Sequence, residues 1–186
     1  EQVKPAPTGP LGVVFVRKTP TLAIHVDGAP GQLQIHSGEQ KFTVQTRTSL
    51  PDGKWWQADA KSTFTPQPDS KVLSWQTPQY SVQRKINIDG NHRITVSDTF
   101  TNRTDKMIGV MVEHQLQTPR TPSKIFLAGM DVAAKNSHAE NSTNPSAWVQ
   151  LNNGGAALLA EGDTFRAQAM EYREGGLTHR VARITR

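Results

Sequence analysis

Cysteine is missing from the 186-residue chain, which excludes disulfides, thiolate metal sites and a cysteine nucleophile together. No apolar run approaches the roughly 18 residues of a membrane-spanning helix. The N-terminus also lacks the apolar core of a signal peptide, which leaves a cytosolic protein or one whose export signal has been removed. No amphipathic stretch with a period near 3.6 reaches about ten residues, and there is no internal repeat. The nucleophile elbow G-x-S-x-G, His-Glu-x-x-His, the P-loop and G-x-G-x-x-G are all absent. Chemistry that depends on scattered carboxylates brought together by the fold, such as glycoside hydrolysis, is not excluded by that absence.

What remains points to thin antiparallel sheets. Apolar residues make up 35% of the chain with a formal charge of +5, and the mean hydropathy is −0.56 with a pI near 9.7. These values stay clear of the low-hydrophobicity, high-charge regime of disordered chains. The basic balance favours anionic partners such as acidic polysaccharide, nucleic acid or lipid headgroups.

Residues 1–10 read as an extended leader, because Pro5, Pro7 and Pro10 remove backbone donors and Gly9 removes stiffness. From there to residue 186 the period is two. Leu22, Ile24 and Val26 alternate with polar residues, then Leu33 and Ile35 do so beyond the turn at 27–31, predicting a hairpin. Phe42, Val44 and Thr46 continue the pattern into the tight turn Leu50-Pro51-Asp52-Gly53. Further strands are predicted at 54–58, 71–77 and 79–88. The segment 80–116 reads as a three-stranded meander turning at Asp89-Gly90-Asn91 and at Asn102-Arg103-Thr104-Asp105. Residues 124–128 suit a short strand, and the polar stretch 131–146 reads as a long surface loop. Strands follow at 148–151, 156–160, 164–170 and 176–186. A chain of short strands without crossover helices predicts an all-β, antiparallel β-sandwich, of supersandwich or jelly-roll type, forming one domain over 11–186. The final strand stops without a cap, which suggests continuation into a longer chain.

Candidate site residues stand out where they break these rows. Arg84 and Asp98 interrupt apolar rows on strands that the Asp89-Gly90-Asn91 turn makes neighbours. One register sets them opposite each other and the alternative offsets them by two residues; they read as a structural ion pair or a sheet-edge location, or as a carboxylate positioned by Arg in a cleft. Trp55 and Trp56 are adjacent on a strand, so one faces the core and the other solvent. With Trp75 and Trp148 they are the candidates for stacking on sugar rings, and Trp56 and Trp75 join Arg84 and Asp98 as candidate ligand-binding residues. His25 and His36 share the outward face of the first hairpin, but no carboxylate at ligand spacing joins them, so no metal site is expected. His114 lies on the apolar row while Glu113 points the other way, and His92, His138 and His179 show no partner pattern. Arg166, Arg173, Arg180, Arg183 and Arg186 gather near the end, yet Arg180 and Arg183 occupy opposite strand faces. Without a basic stripe, interleaved aromatics or a recognition helix, nucleic acid is not the expected partner. The sequons Asn102-Arg103-Thr104 and Asn141-Ser142-Thr143 both fall in predicted loops.

The run Ile94-Thr95-Val96-Ser97-Asp98-Thr99-Phe100-Thr101-Asn102, with Asp105 and Gly109-Val110 after it, resembles the strand–turn–strand pattern of β-sandwich domains in carbohydrate-active enzymes, including the galactose-mutarotase-like supersandwich. The stretch from Gly155 to Arg166 resembles it too. Together they cover about a fifth of the chain. The resemblance implies an accessory or substrate-framing sandwich in an exported polysaccharide-processing enzyme, a glycoside hydrolase or polysaccharide lyase, with a neighbouring domain in the same protein. It carries over no catalytic residue and implies no cofactor. A stand-alone glycan-binding module and a coat or surface assembly protein are the alternatives.

Overall fold

In the computed structural model the described residues are 22–26, 32–37, 39–57, 63–66, 70–89, 93–133, 137–140, 144–152, 154–160, 168–173 and 175–185. Among them there is no helix, and every strand pairing is antiparallel. The strands are β1 (Leu22–Val26), β2 (Gln32–Ser37), β3 (Gln40–Ser49), β4 (Trp55–Gln57), β5 (Thr63–Pro66), β6 (Ser70–Gln76), β7 (Tyr80–Asp89) and β8 (Arg93–Asn102). They continue as β9 (Ile108–Gln117), β10 (Lys124–Leu127), β11 (Met130–Val132), β12 (Ser137–Glu140), β13 (Ser146–Leu151), β14 (Gly154–Leu159), β15 (Gln168–Arg173) and β16 (Gly176–Thr185). The predicted leader at 1–10 and the turn at 27–31 lie outside the described residues.

Three sheets form. The large one has eight strands in the order β1-β2-β3-β9-β16-β15-β12, with β4 on β3; the others are β5-β6-β7-β8 and β11-β10-β13-β14. Period two gives the longer strands an apolar row, and rows from all three sheets meet in one buried cluster. Leu33, Phe42, Val44, Val110, Leu116, Met170 and Leu177 come from the large sheet, Leu73, Tyr80, Val82 and Ile86 from the second, and Ile125, Leu127, Val149 and Leu151 from the third. The expected all-β sandwich is the observed architecture.

Several local expectations hold. The β1–β2 hairpin pairs Ile24 with Ile35 and Val26 with Leu33. The turn between β3 and β4 is closed by the Gly53 amide on the Leu50 carbonyl at 2.9 Å, with Gly53 at φ +82° as its position demands. Asp52 Oδ1 accepts from the Lys54 amide at 3.1 Å.

Two expectations are corrected. The 80–116 segment is not a meander: β7 pairs with β8, but β9 lies in the large sheet between β3 and β16. An apolar row is buried equally well beside a neighbouring strand or across the sandwich, so its period cannot choose between them. The chain crosses at 103–107, where Asn102 Oδ1 accepts from the Thr104 amide (2.9 Å) and hydroxyl (2.8 Å), and Asn102 Nδ2 donates to the Lys106 carbonyl at 2.6 Å. Residues 131–146 are not one long loop either. They contain the end of β11 and all of β12, whose four residues are too few and too polar to signal a strand without their partner β15. The last hairpin pairs β15 with β16; of the predicted 164–170 strand, 164–167 lie outside the described residues and 168–170 belong to β15, which runs on to Arg173.

Candidate functional site

The four residues singled out in sequence converge, but between the sheets. Arg84 and Asp98 are direct cross-strand partners. Arg84 Nε and Nη2 donate to Asp98 Oδ1 and Oδ2 at 2.7 and 2.6 Å, a bidentate pair in which the Arg84 side chain is 0% exposed and that of Asp98 10%. The guanidinium carbon sits 5.3 Å from the Trp75 ring centre, and Trp75 stacks on Trp56 at 6.1 Å. Trp75 is buried and Trp56 half-buried, while Trp55 is the exposed member of the Trp55-Trp56 pair at 36%.

The network continues into the large sheet. Arg84 Nη1 donates to Thr46 Oγ1 at 2.8 Å, and the Thr46 oxygen lies 2.9 Å from His114 Nδ1. Thr46 Oγ1 accepts from Arg84 and keeps both its own hydrogen and a second lone pair for His114 Nδ1, so either ring tautomer completes the bond. Burial, reinforced by the charge of Arg84, lowers the His114 pKa to about 4. Burial lowers that of His179, its register partner on β16, to about 4 as well. Tyr80 makes a second tie, its hydroxyl 2.8 Å from Thr48 Oγ1 and 3.0 Å from the Ser49 carbonyl. Burial raises the Tyr80 pKa against the Thr48 hydrogen bond, so it stays protonated as a donor. These hydrogen bonds join the sheets and work as a polar rivet.

A different polar array occupies the outer face of the large sheet. Its register aligns outward-pointing residues across strands. One row runs Gln57, Arg47, Glu113, Arg180 over β4, β3, β9 and β16. The next runs Gln32, Gln45, Gln115, Thr178, Glu171, His138 over six strands. Arg47 Nε donates to Glu113 Oε1 at 2.5 Å, and Arg180 Nε donates to Glu113 Oε2. Arg180 Nη2 also faces Glu171 Oε2 at 3.5 Å, and Arg173 pairs with the other oxygen of Glu171. Burial alone would raise the Glu113 carboxyl, but the two arginines more than offset it and hold the pKa below its ordinary value. The result is an alternating chain Arg47–Glu113–Arg180–Glu171–Arg173, three guanidiniums against two carboxylates.

Beside that chain lies a depression of about 90 Å³ lined by Gln45, Thr46, Arg47, Gln57, Glu113 and Gln115. The carboxamides of Gln45, Gln57 and Gln115 make no side-chain hydrogen bond to the described residues, so their donors and acceptors are open to solvent or ligand. Trp55 flanks the same face through its pairing with Ser49, and the Arg47 guanidinium carbon lies 4.5 Å from its ring centre. Indole, planar amides and a fixed guanidinium on a rigid sheet are the groups that stack on pyranose rings and hydrogen-bond their hydroxyls.

Comparison with family models, with curated proteins and with solved structures found no match. The site therefore rests on its own geometry.

The residues missed in sequence are Gln45, Arg47, Gln57, Glu113, Gln115 and Arg180. Arg47 and Glu113 are 66 positions apart, and only the β3–β9 pairing brings them together. The available signals were the outward pairs Gln45/Arg47 and Glu113/Gln115, unreadable until those strands are known to be neighbours. Trp148 also faces outward, on the third sheet, where it stacks face to face with Phe126 at 4.3 Å and 2°. Of the remaining histidines, His138 ends the row at Glu171 on the exposed face, and His36 pairs in register with Lys41. Among the described residues no group of three or more His, Asp or Glu could hold a metal ion.

Proposed function

We propose that this chain is a carbohydrate-associated β-sandwich that holds an oligosaccharide or polysaccharide on the outer face of its large sheet. Its place is as an accessory or substrate-framing domain of an exported polysaccharide-processing enzyme. The observation that carries this reading is the depression at Gln45, Arg47, Gln57, Glu113 and Gln115 beside the exposed Trp55. Arg47 and Glu113 are held by the ion-paired chain, so a ligand meets little ordering cost at those two and orders only the three glutamine carboxamides. The 94–102 resemblance to carbohydrate-active sandwiches points the same way.

Phe126 and Trp148 stack on each other on the third sheet, and neither flanks the depression. The outer face of β7 and β8 offers Gln83, Lys85, Ser97 and Thr99 without an aromatic ring.

Titration with a panel of neutral and acidic oligosaccharides, followed by tryptophan fluorescence, tests the proposal. Binding should quench or shift emission in the native chain, and Trp55→Phe should remove most of that response. A flat response across the panel would overturn it.

A further inference from the structure

The charges of the depression define which glycan it suits. Glu113 is the one acid in its lining, and each of its oxygens is already held by an arginine Nε. Arg180 is shared between Glu113 and Glu171, so its charge is spent inside the lattice. Arg47 is different. Its Nε is fixed on Glu113, its side chain is 44% exposed, and its two η nitrogens have no partner among the described residues. Glu113 on one side and Trp55 on the other hold the guanidinium plane in place, presenting a fork of N–H donors at the rim of the depression.

We infer that the ligand is an anionic glycan, with its carboxylate or sulfate on the η nitrogens of Arg47 and its ring hydroxyls on the carboxamides of Gln45, Gln57 and Gln115. This rests on the glycan-binding reading and narrows it to a substrate class. A neutral sugar leaves the Arg47 fork facing water, whereas a uronate or sulfate ester supplies the planar or tetrahedral acceptor that the fork matches. The excess of one guanidinium in the alternating chain gives the face the matching sign.

The experiment is calorimetric titration with two matched pairs: tetragalacturonate against its methyl ester, and a sulfated κ-carrageenan tetrasaccharide against its desulfated form. At least one anionic member should bind about tenfold or more tighter than its neutral counterpart, and the preference should shrink as salt rises. Whichever pair shows the difference identifies carboxylate or sulfate as the recognised group. Arg47→Gln should bring the two members of that pair to within about twofold. Arg47→Lys, which keeps the charge but loses the fork, should restore only part of the gap, and Lys85→Gln on the other sheet should leave it intact. Unchanged circular dichroism and thermal midpoints establish that the variants are folded. Equal affinity for both members of each pair, with binding lost in Trp55→Phe, would overturn the anionic preference and leave the glycan reading standing. No Trp55-dependent binding by any of the four would overturn both.

Discussion

Arg84 shows what a buried charge costs and what it secures. Asp98 and Thr46 take three of its five N–H donors, and the pair is almost out of water. Arg84→Met leaves Asp98 without its counter-charge, and we expect a loss of about 3–5 kcal/mol, since breaking one side of a buried pair strands the other. Arg84→Met with Asp98→Leu should cost less than Arg84→Met alone; urea midpoints with an unchanged slope check both. The two histidines behind it make stability depend on pH. Their folded pKa values lie near 4, below the ordinary 6.5. The unfolded chain therefore takes up protons first as pH falls. Their contribution is complete above pH 6.5 and is lost between 6.5 and 4, by about 2 kcal/mol per histidine at pH 5. Glu113, whose pKa is lowered, adds no loss until pH falls below its unfolded value of 4.5. Urea midpoints at pH 7 and pH 5 measure the histidine effect, and His179→Asn should roughly halve the difference. At this scale the sequence was informative: a charge breaking an apolar row is visible in one strand, so the Arg84–Asp98 pairing could be read. Thr46 and His114 as its continuation could not, because they arrive from another sheet.

Single elements were legible and their neighbours were not. Hairpins such as β1–β2, β7–β8 and β13–β14 join strands close in sequence, and their turn residues announce them. The same alternation that marks β9 says nothing about which sheet receives it, and β12 becomes a strand only because β15 offers it a ladder. Alternation also explains the tryptophan pair: Trp56 pairs with Thr48 on the inner face and Trp55 with Ser49 on the outer. Trp56→Ala should therefore cost about 2–4 kcal/mol by opening a cavity against Trp75, while Trp55→Ala should stay within about 1 kcal/mol. Thermal melts of the two variants separate these outcomes. On β14, a Cβ added at Gly155 would lie 2.4 Å from the Val149 carbonyl oxygen, so Gly155→Ala should weaken the β13–β14 hairpin. Hydrogen exchange at the Val149 and Leu151 amides would report it.

For the whole molecule, the sandwich separates two kinds of polar chemistry. Polar groups between the sheets bond to one another and lock the layers, whereas those outside the large sheet keep open donors and acceptors beside an exposed indole. The fold class was readable because alternation over the whole chain permits few architectures. The site was not, since its residues come from β3, β4, β9 and β16 and share a surface only once the register is fixed. The most direct test is a 15N-edited NMR titration with the tightest-binding oligosaccharide. The Trp55 indole N–H, the side-chain amides of Gln45, Gln57 and Gln115, and the backbone of β3 and β9 around Arg47 and Glu113 should shift together and saturate with one affinity. Shifts confined to Phe126 and Trp148, or to the outer face of β7 and β8, would contradict the account.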